Sequence, residues 1–338
     1  MKFRFTPRVC TLLLLSLVLG CGLTAQAAVR TQTIQLKSGW NAVFLQVDPI
    51  QKDPAQLFAQ LPVSVVASFF AKDRAVEFIS DPNTTQWKKD GWNVWYAPGQ
   101  QNSFLTTLYG INGNRGYLIF AEQDAVWNVE GEVAFEPVRW KSSSFNLVGF
   151  GLDSVAPPSF ARFFKGSAAH TNLKAYRLVG DRWVLVQNPA TEQMRDGEAY
   201  WIYSAGGSDF QGPVSIKLPF GRSIYFGEET PSMDIIFKSG TVDPVNISVT
   251  PPGDSVVPLG MLQRALSPGE IQQLATPLSG PFTLPTLEAR DKAALKLELR
   301  REKMTALNQD GLLKITTDVG TVVWLSISSK RREVTVIP

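Results

Sequence analysis

The chain has 338 residues, of which 44% are hydrophobic and 11% aromatic, with 33 basic residues, 30 acidic residues and one histidine. That length can bury several cores, and a formal charge of +3 makes no electrostatic case for nucleic acid. Its two cysteines, Cys10 and Cys21, lie near the start. Everything after residue 21 therefore lacks an internal disulfide, a thiolate nucleophile and a Cys-ligated zinc site.

Residues 1–28 read as an export signal. Lys2, Arg4 and Arg8 supply the positive end, Leu12 to Leu19 the apolar stretch, and Ala25-Gln26-Ala27 before Ala28 a small-x-small cleavage site. A second cleavage reading stays open: Val18-Leu19-Gly20-Cys21 resembles a lipobox, which would make Cys21 a lipidated N-terminus and a membrane anchor. Either reading places the protein outside the cytoplasm: periplasmic, secreted or outer-membrane-associated. The apolar run is short of the roughly 20 residues that span a bilayer, and no later run approaches that length. Removal of the signal takes three bases and no acid, leaving thirty of each.

The next two modules, 29–136 and 137–219, carry the same landmarks in the same order. Gly39-Trp40-Asn41-Ala42-Val43 opens the first and Ser144-Phe145-Asn146-Leu147-Val148 the second. Proline-led amphipathic segments follow, Pro54 to Leu61 and Pro158 to Phe164. Tryptophan strands come next, Trp92 to Tyr96 and Arg182 to Val186, then tyrosine strands, Arg115 to Phe120 and Glu198 to Tyr203. Each copy closes on a glycine, Gly131 or Gly212. This order predicts an internal duplication of a β-rich module with one short helix per copy. Copy one has two longer segments, Ala71 to Gly91 and Gly99 to Gly113, of the kind that decorates one edge of a core.

Residues 220–338 read as a third module of about seven alternating strands, an immunoglobulin-like β-sandwich. Leu295-Lys296-Leu297-Glu298-Leu299 shows the alternation most clearly. Pro268 to Leu274 is predicted as a short helix, with Ser267 as its N-cap and Glu270 three positions on. Arg332 to Ile337 is predicted as a last strand. The fold class is thus mainly β: two tandem related modules plus a C-terminal sandwich.

Chemistry is sparse. Trp87, Trp95 and Tyr96 are the candidate ligand-contacting aromatics, since flat apolar rings stack on sugars. Trp92, Val94 and Tyr96 share one strand face and Trp95 takes the other. Core packing is favoured for Trp92 and Tyr96, and for Trp40, Trp183 and Trp201 in the matched strands. Asn41 and Asn146 recur at one place and read as side chains bonding backbone rather than ligand. His170 sits in a Gly/Ser/Ala stretch and reads as an exposed loop residue. With no partner histidine or cysteine it excludes a His-based zinc site and Cys-His catalysis. No Gly-x-Ser-x-Gly elbow is present. The carboxylate pairs Glu130/Glu132 and Asp196/Glu198 have strand-face spacing that is common without catalysis. Neither a catalytic set, a metal site nor a cofactor is expected.

Gly39-Trp40-Asn41 after Leu36-Lys37-Ser38, with Gly116-Tyr117-Leu118-Ile119 and Val129-Glu130-Gly131 further on, resembles a "GWN…GYW" β module of secreted bacterial surface proteins. The resemblance covers residues 33–219 in two copies. Copy two departs from it, with Phe145 for the tryptophan and Ala199 for the glycine. The resemblance implies an extracytoplasmic location and a repeat architecture, and no particular activity. The expected function is a non-enzymatic binding or scaffold protein of the bacterial envelope that contacts polysaccharide through exposed aromatics. The alternative is an assembly subunit that binds another envelope protein. A glycan-active enzyme ranks third.

Overall fold

A computed structural model describes residues 28–70, 91–251, 257–267 and 270–331. The chain is mainly β. Copy one contains β1 (Val29–Leu36), β2 (Gly39–Leu45), β3 (Asp48–Pro49), α1 (Pro54–Leu57), β4 (Val63–Phe69), β5 (Trp92–Tyr96), β6 (Arg115–Ala121) and β7 (Ala125–Glu132). Copy two contains β8 (Ser144–Val148), α2 (Phe160–Phe164), β9 (Ala175–Val179), β10 (Arg182–Leu185) and β11 (Tyr200–Ser204).

The two copies build the same antiparallel sheet. Its order is β2-β6-β4-β5 in copy one and β8-β11-β9-β10 in copy two. The register matches as well: Asn41 lies opposite Ile119 and Asn146 opposite Ile202. The recurring asparagines explain how each sheet starts. Asn41 accepts from the Lys37 amide at 2.8 Å and donates to the Lys37 and Gly39 carbonyls. Asn146 accepts from the Lys141 amide at 2.7 Å and donates to the Lys141 and Ser144 carbonyls. Each amide substitutes for backbone partners at a sharp entry into the strand.

A recurring tyrosine closes each copy. The Tyr117 hydroxyl accepts from the Asn112 amide and donates to the Asn112 carbonyl, at 2.8 and 2.9 Å. Tyr200 makes the same two bonds with Arg195. Burial pushes the Tyr117 hydroxyl up to about 12 and Tyr200 well above the ordinary tyrosine range. The short helices start alike: the Asp53 carboxylate accepts from Ala55 N–H and the Ser159 hydroxyl from Arg162 N–H.

Both faces of copy one's sheet are covered. One face packs on Phe58, Tyr117 and Trp127 of its own copy. The opposite face meets copy two through Trp92, Val94, Leu118, Phe145, Trp183 and Trp201. Trp201 is fully buried and touches Phe69, Trp92 and Trp183, with ring centres 5.2, 6.1 and 6.2 Å away. Main-chain bonds also join the copies: the Phe44 amide donates to the Gly197 carbonyl at 2.8 Å, and the Ala199 amide to Ala42 at 3.1 Å.

The third unit is a sandwich of two five-stranded sheets. Its strands are β12 (Val214–Lys217), β13 (Ile224–Tyr225), β14 (Ser232–Ser239), β15 (Ile247–Thr250), β16 (Leu259–Ser267), β17 (Glu270–Pro277), β18 (Phe282–Thr283), β19 (Lys292–Leu299), β20 (Asn308–Thr317) and β21 (Val322–Lys330). The sheet orders are β12-β14-β19-β16-β17 and β13-β21-β20-β15-β18. Alternating strand residues such as Ile235, Phe237, Leu295 and Leu297 form one core between them. The helix expected over Pro268–Leu274 is absent where the structure describes that segment. Glu270–Pro277 is a strand paired with β16, and that ladder overrides the local helix-like spacing. The strand expected over Arg332–Ile337 lies outside the described residues. Among the described residues no helix is long and apolar enough to cross a membrane.

Candidate functional site

The aromatic candidates separate on burial. Trp95 is 6% exposed and packs 5.7 Å from Phe58, so it has no free face for a sugar ring. Its exposure was open in the sequence because one strand face looked like core and the other like surface. The second copy turns both into core. Tyr96 is half-buried against the inter-copy cluster of Trp92 and Trp201. Trp87 and Cys21 lie outside the described residues.

The two most exposed aromatics among the described residues sit one loop further on. The segment after β5 returns beside it: the Thr107 and Leu108 amides donate to the Val94 carbonyl at 2.7 and 3.0 Å. The Thr107 and Thr106 hydroxyls accept from the Val94 and Tyr96 amides. Leu108 and Ile111 anchor the segment, with exposures of 2% and 0%. A 3-10 turn at Ser103–Leu105 lies between these anchors and the strand. Phe104 and Tyr109 are 80% and 78% exposed, and Leu105 is 49% exposed. The Tyr109 hydroxyl donates to the Thr106 carbonyl at 2.8 Å. Three apolar side chains are thus held in water by a loop whose two ends are fixed. The Gly99 to Gly113 segment was legible as an insertion, but Phe104 and Tyr109 carry no local sequence signal.

The other candidate groups resolve into structural roles. His170 is 3% exposed, which corrects its reading as an exposed loop residue. Trp140, Phe164 and Phe210 surround it at ring distances of 4.4, 4.9 and 6.0 Å, all from other segments. Its Nδ1 lies 2.6 Å from the Ser167 hydroxyl, and burial pulls its pKa down to about 4. No carboxylate meets this pair in the hydrogen bonds described, so it lacks the third member of a triad. Glu198 pairs with Arg177 at 2.9 Å and accepts from the Tyr200 hydroxyl. Asp196 accepts from Gln46 of copy one and from the Leu152 amide. Asp196 therefore braces the junction of the copies, and Glu198 ties together two strands of copy two. Among the described residues no group of three metal-ligating side chains occurs.

No family model matches this chain, and no curated protein does. Among solved structures, the ASH / PapD-like domain 7 of human CEP192 is similar over 36% of this chain and 87% of that one, with 8% identity and a TM-score of 0.23. The secreted serine protease VesC from Vibrio cholerae covers 83% of this chain and 71% of its own, at 12% identity and a TM-score of 0.23. The Escherichia coli alpha-2-macroglobulin activated by porcine elastase covers 90% of this chain and 31% of its own, at 10% identity and a TM-score of 0.18. Scores this low carry no functional argument.

Proposed function

We propose that this protein is an exported, non-enzymatic binding or scaffold protein of a bacterial envelope, and that it contacts polysaccharide through the loop after β5. The observation that supports this reading is the exposure of Phe104, Leu105 and Tyr109 on a segment anchored by Leu108 and Ile111. Exposed rings on a fixed loop lose little entropy when a sugar stacks on them. The export signal and the duplicated β architecture agree with a binding role, and the titratable groups at the copy junction hold the structure together.

Binding to a panel of envelope and plant polysaccharides tests the reading. Phe104→Ala with Tyr109→Ala should lower affinity more than tenfold and leave the unfolding midpoint unchanged. Equal binding by the variant and the parent would reject the loop as the site.

A second reading, an assembly subunit that binds envelope protein, is supported by Leu105 beside the two rings. Aliphatic and aromatic groups together suit a protein partner better than a sugar. A blank polysaccharide panel, with cross-linking from the loop to an envelope protein in cells, would favour it.

A further inference from the structure

The two copies leave the same groove and line it differently. In each, it lies between the end of the short helix and the segment that follows the strand of the recurring tyrosine. Trp127 and Phe210 each lie ten residues past that tyrosine. Three residues further on, the Glu130 carbonyl accepts from the Ile50 amide at 3.2 Å, and the Pro213 carbonyl from the Gly240 amide at 2.8 Å. A crossing segment thus closes one side of each groove, following β3 in copy one and β14 of the sandwich in copy two. The copy-one groove has a volume of about 470 Å³, and Ile50, Leu57, Leu61 and Val126 make its lining largely apolar. The copy-two groove has a volume of about 380 Å³ and is polar, with Ser208, Asp209, Ser215, Lys238 and Arg290 among the residues that line it.

Cations gather at this second groove without counter-ions. Lys238 lies directly opposite Lys292 across β14 and β19, and both are exposed. Like charges so placed oppose the sheet. The next pair on that face, Asp234 opposite Lys296, is complementary. Arg290 has a φ of 65°, in the left-handed region that side chains other than Asn and Asp seldom enter. The nearby Asp291 carboxylate accepts from the Lys292 amide at 2.8 Å. Among the described residues Lys238, Arg290, Lys292 and Asp209 form no ion pair.

We infer that the groove between copy two and the sandwich binds an acidic sugar unit, its carboxylate held by Lys238, Arg290 and Lys292 and its hydroxyls by Asp209 and Ser208. Arg290 offers the planar fork that matches a carboxylate. Asp209 decides the class. Its carboxylate would repel a compact anion such as phosphate, whereas sugar hydroxyls give it the donors it lacks. The Ser208 hydroxyl accepts from the Phe210 amide at 3.2 Å and keeps its own proton to give. The groove's size lies in the range of small-ligand pockets. A bound carboxylate also relieves the facing lysines, so a feature that opposes the empty sheet favours the occupied one. The inference rests on the reading that this protein binds polysaccharide; it names the acidic class and a second place of contact, apart from the aromatic loop.

Calorimetric titration of the exported protein with trigalacturonate and with neutral maltotriose tests it. Trigalacturonate should bind with a Kd below about 1 mM, and maltotriose at least tenfold more weakly. Raising the salt from about 0.05 M to about 0.5 M should weaken trigalacturonate binding. Lys238→Gln with Lys292→Gln should lower its affinity at least tenfold. Arg290→Asn should lower it at least fivefold without lowering the thermal midpoint, because asparagine accepts the left-handed backbone. Equal binding of the two trisaccharides, unchanged affinity in either variant, or no binding of trigalacturonate at about 10 mM would each overturn the inference. If neutral envelope polymers bind the parent while trigalacturonate does not, this inference fails and the polysaccharide reading stands. If every polymer and both trisaccharides are blank, both fail.

Discussion

Copy one and copy two share a framework and differ at the places where they meet other things. Asn41 and Asn146 bind the backbone in one way, and Tyr117 and Tyr200 close their loops in one way. Ile111 and Met194 both precede the segment that the tyrosine binds, and both are fully buried. Their amides even reach equivalent carbonyls, Lys52 and Pro158, just before the two helix caps. The differences are directional. Phe44 and Gly149 occupy matched strand positions, yet a Cβ on Gly149 would lie 2.2 Å from the Phe44 Cβ. One copy kept a large side chain and the other none, because these two positions pack against one another. Copy one also lengthened the segment after its tryptophan strand and put Phe104 and Tyr109 in water. Recurrence thus marks structure here, and divergence marks contact.

The largest test of that comparison is the interface between the copies. Trp201→Ala should cost about 3–5 kcal/mol in urea unfolding, and both copies should still unfold together. Two separated transitions would show that the copies are independent units. The next effect belongs to copy two alone, since copy one has no histidine. Burial pulls His170 down to about 4 in the folded chain, against the ordinary histidine value of about 6.5 when unfolded. Between those values the unfolded chain binds more protons. Stability is therefore full above pH 6.5 and falls as pH drops toward 4, by on the order of 3 kcal/mol. His170→Gln should flatten that dependence in pH-dependent chemical unfolding. Asn41→Ala and Asn146→Ala should each lose about 1–3 kcal/mol. Asn146 should lose more, because it is 8% exposed and Asn41 is only half-buried. Unequal effects in the opposite order would break the equivalence of the two asparagines. Smallest of all, Phe104→Ala should shift stability by no more than about 0.5 kcal/mol, as measured by thermal unfolding.

Local patterns were legible in the sequence and long-range coverage was not. The face assignment along β5 follows from alternation: Trp92, Val94 and Tyr96 meet copy two, and Trp95 meets its own core. Alternation cannot say that both faces are covered, because the second cover comes from strands far along the chain. His170 failed as an exposed residue for the same reason. Its Gly/Ser/Ala neighbours are small, but Trp140 and Phe210 close over it from elsewhere. In β17 the spacing of Ile271 and Leu274 suits a helix, and pairing with β16 decided otherwise. The asparagines read correctly because their shorter bonds are local, reaching two to five residues along the chain.

Hydroxyl-radical footprinting of the aromatic residues tests the central claim most directly, that the tryptophans hold the copies together and the loop rings are the free ones. Phe104 and Tyr109 should label heavily, while Trp92, Trp95, Trp183 and Trp201 stay protected under native conditions. Labelling of Trp92 and Trp183 at the rate of Tyr109 would contradict the account, because the two sheets would then not be packed face to face.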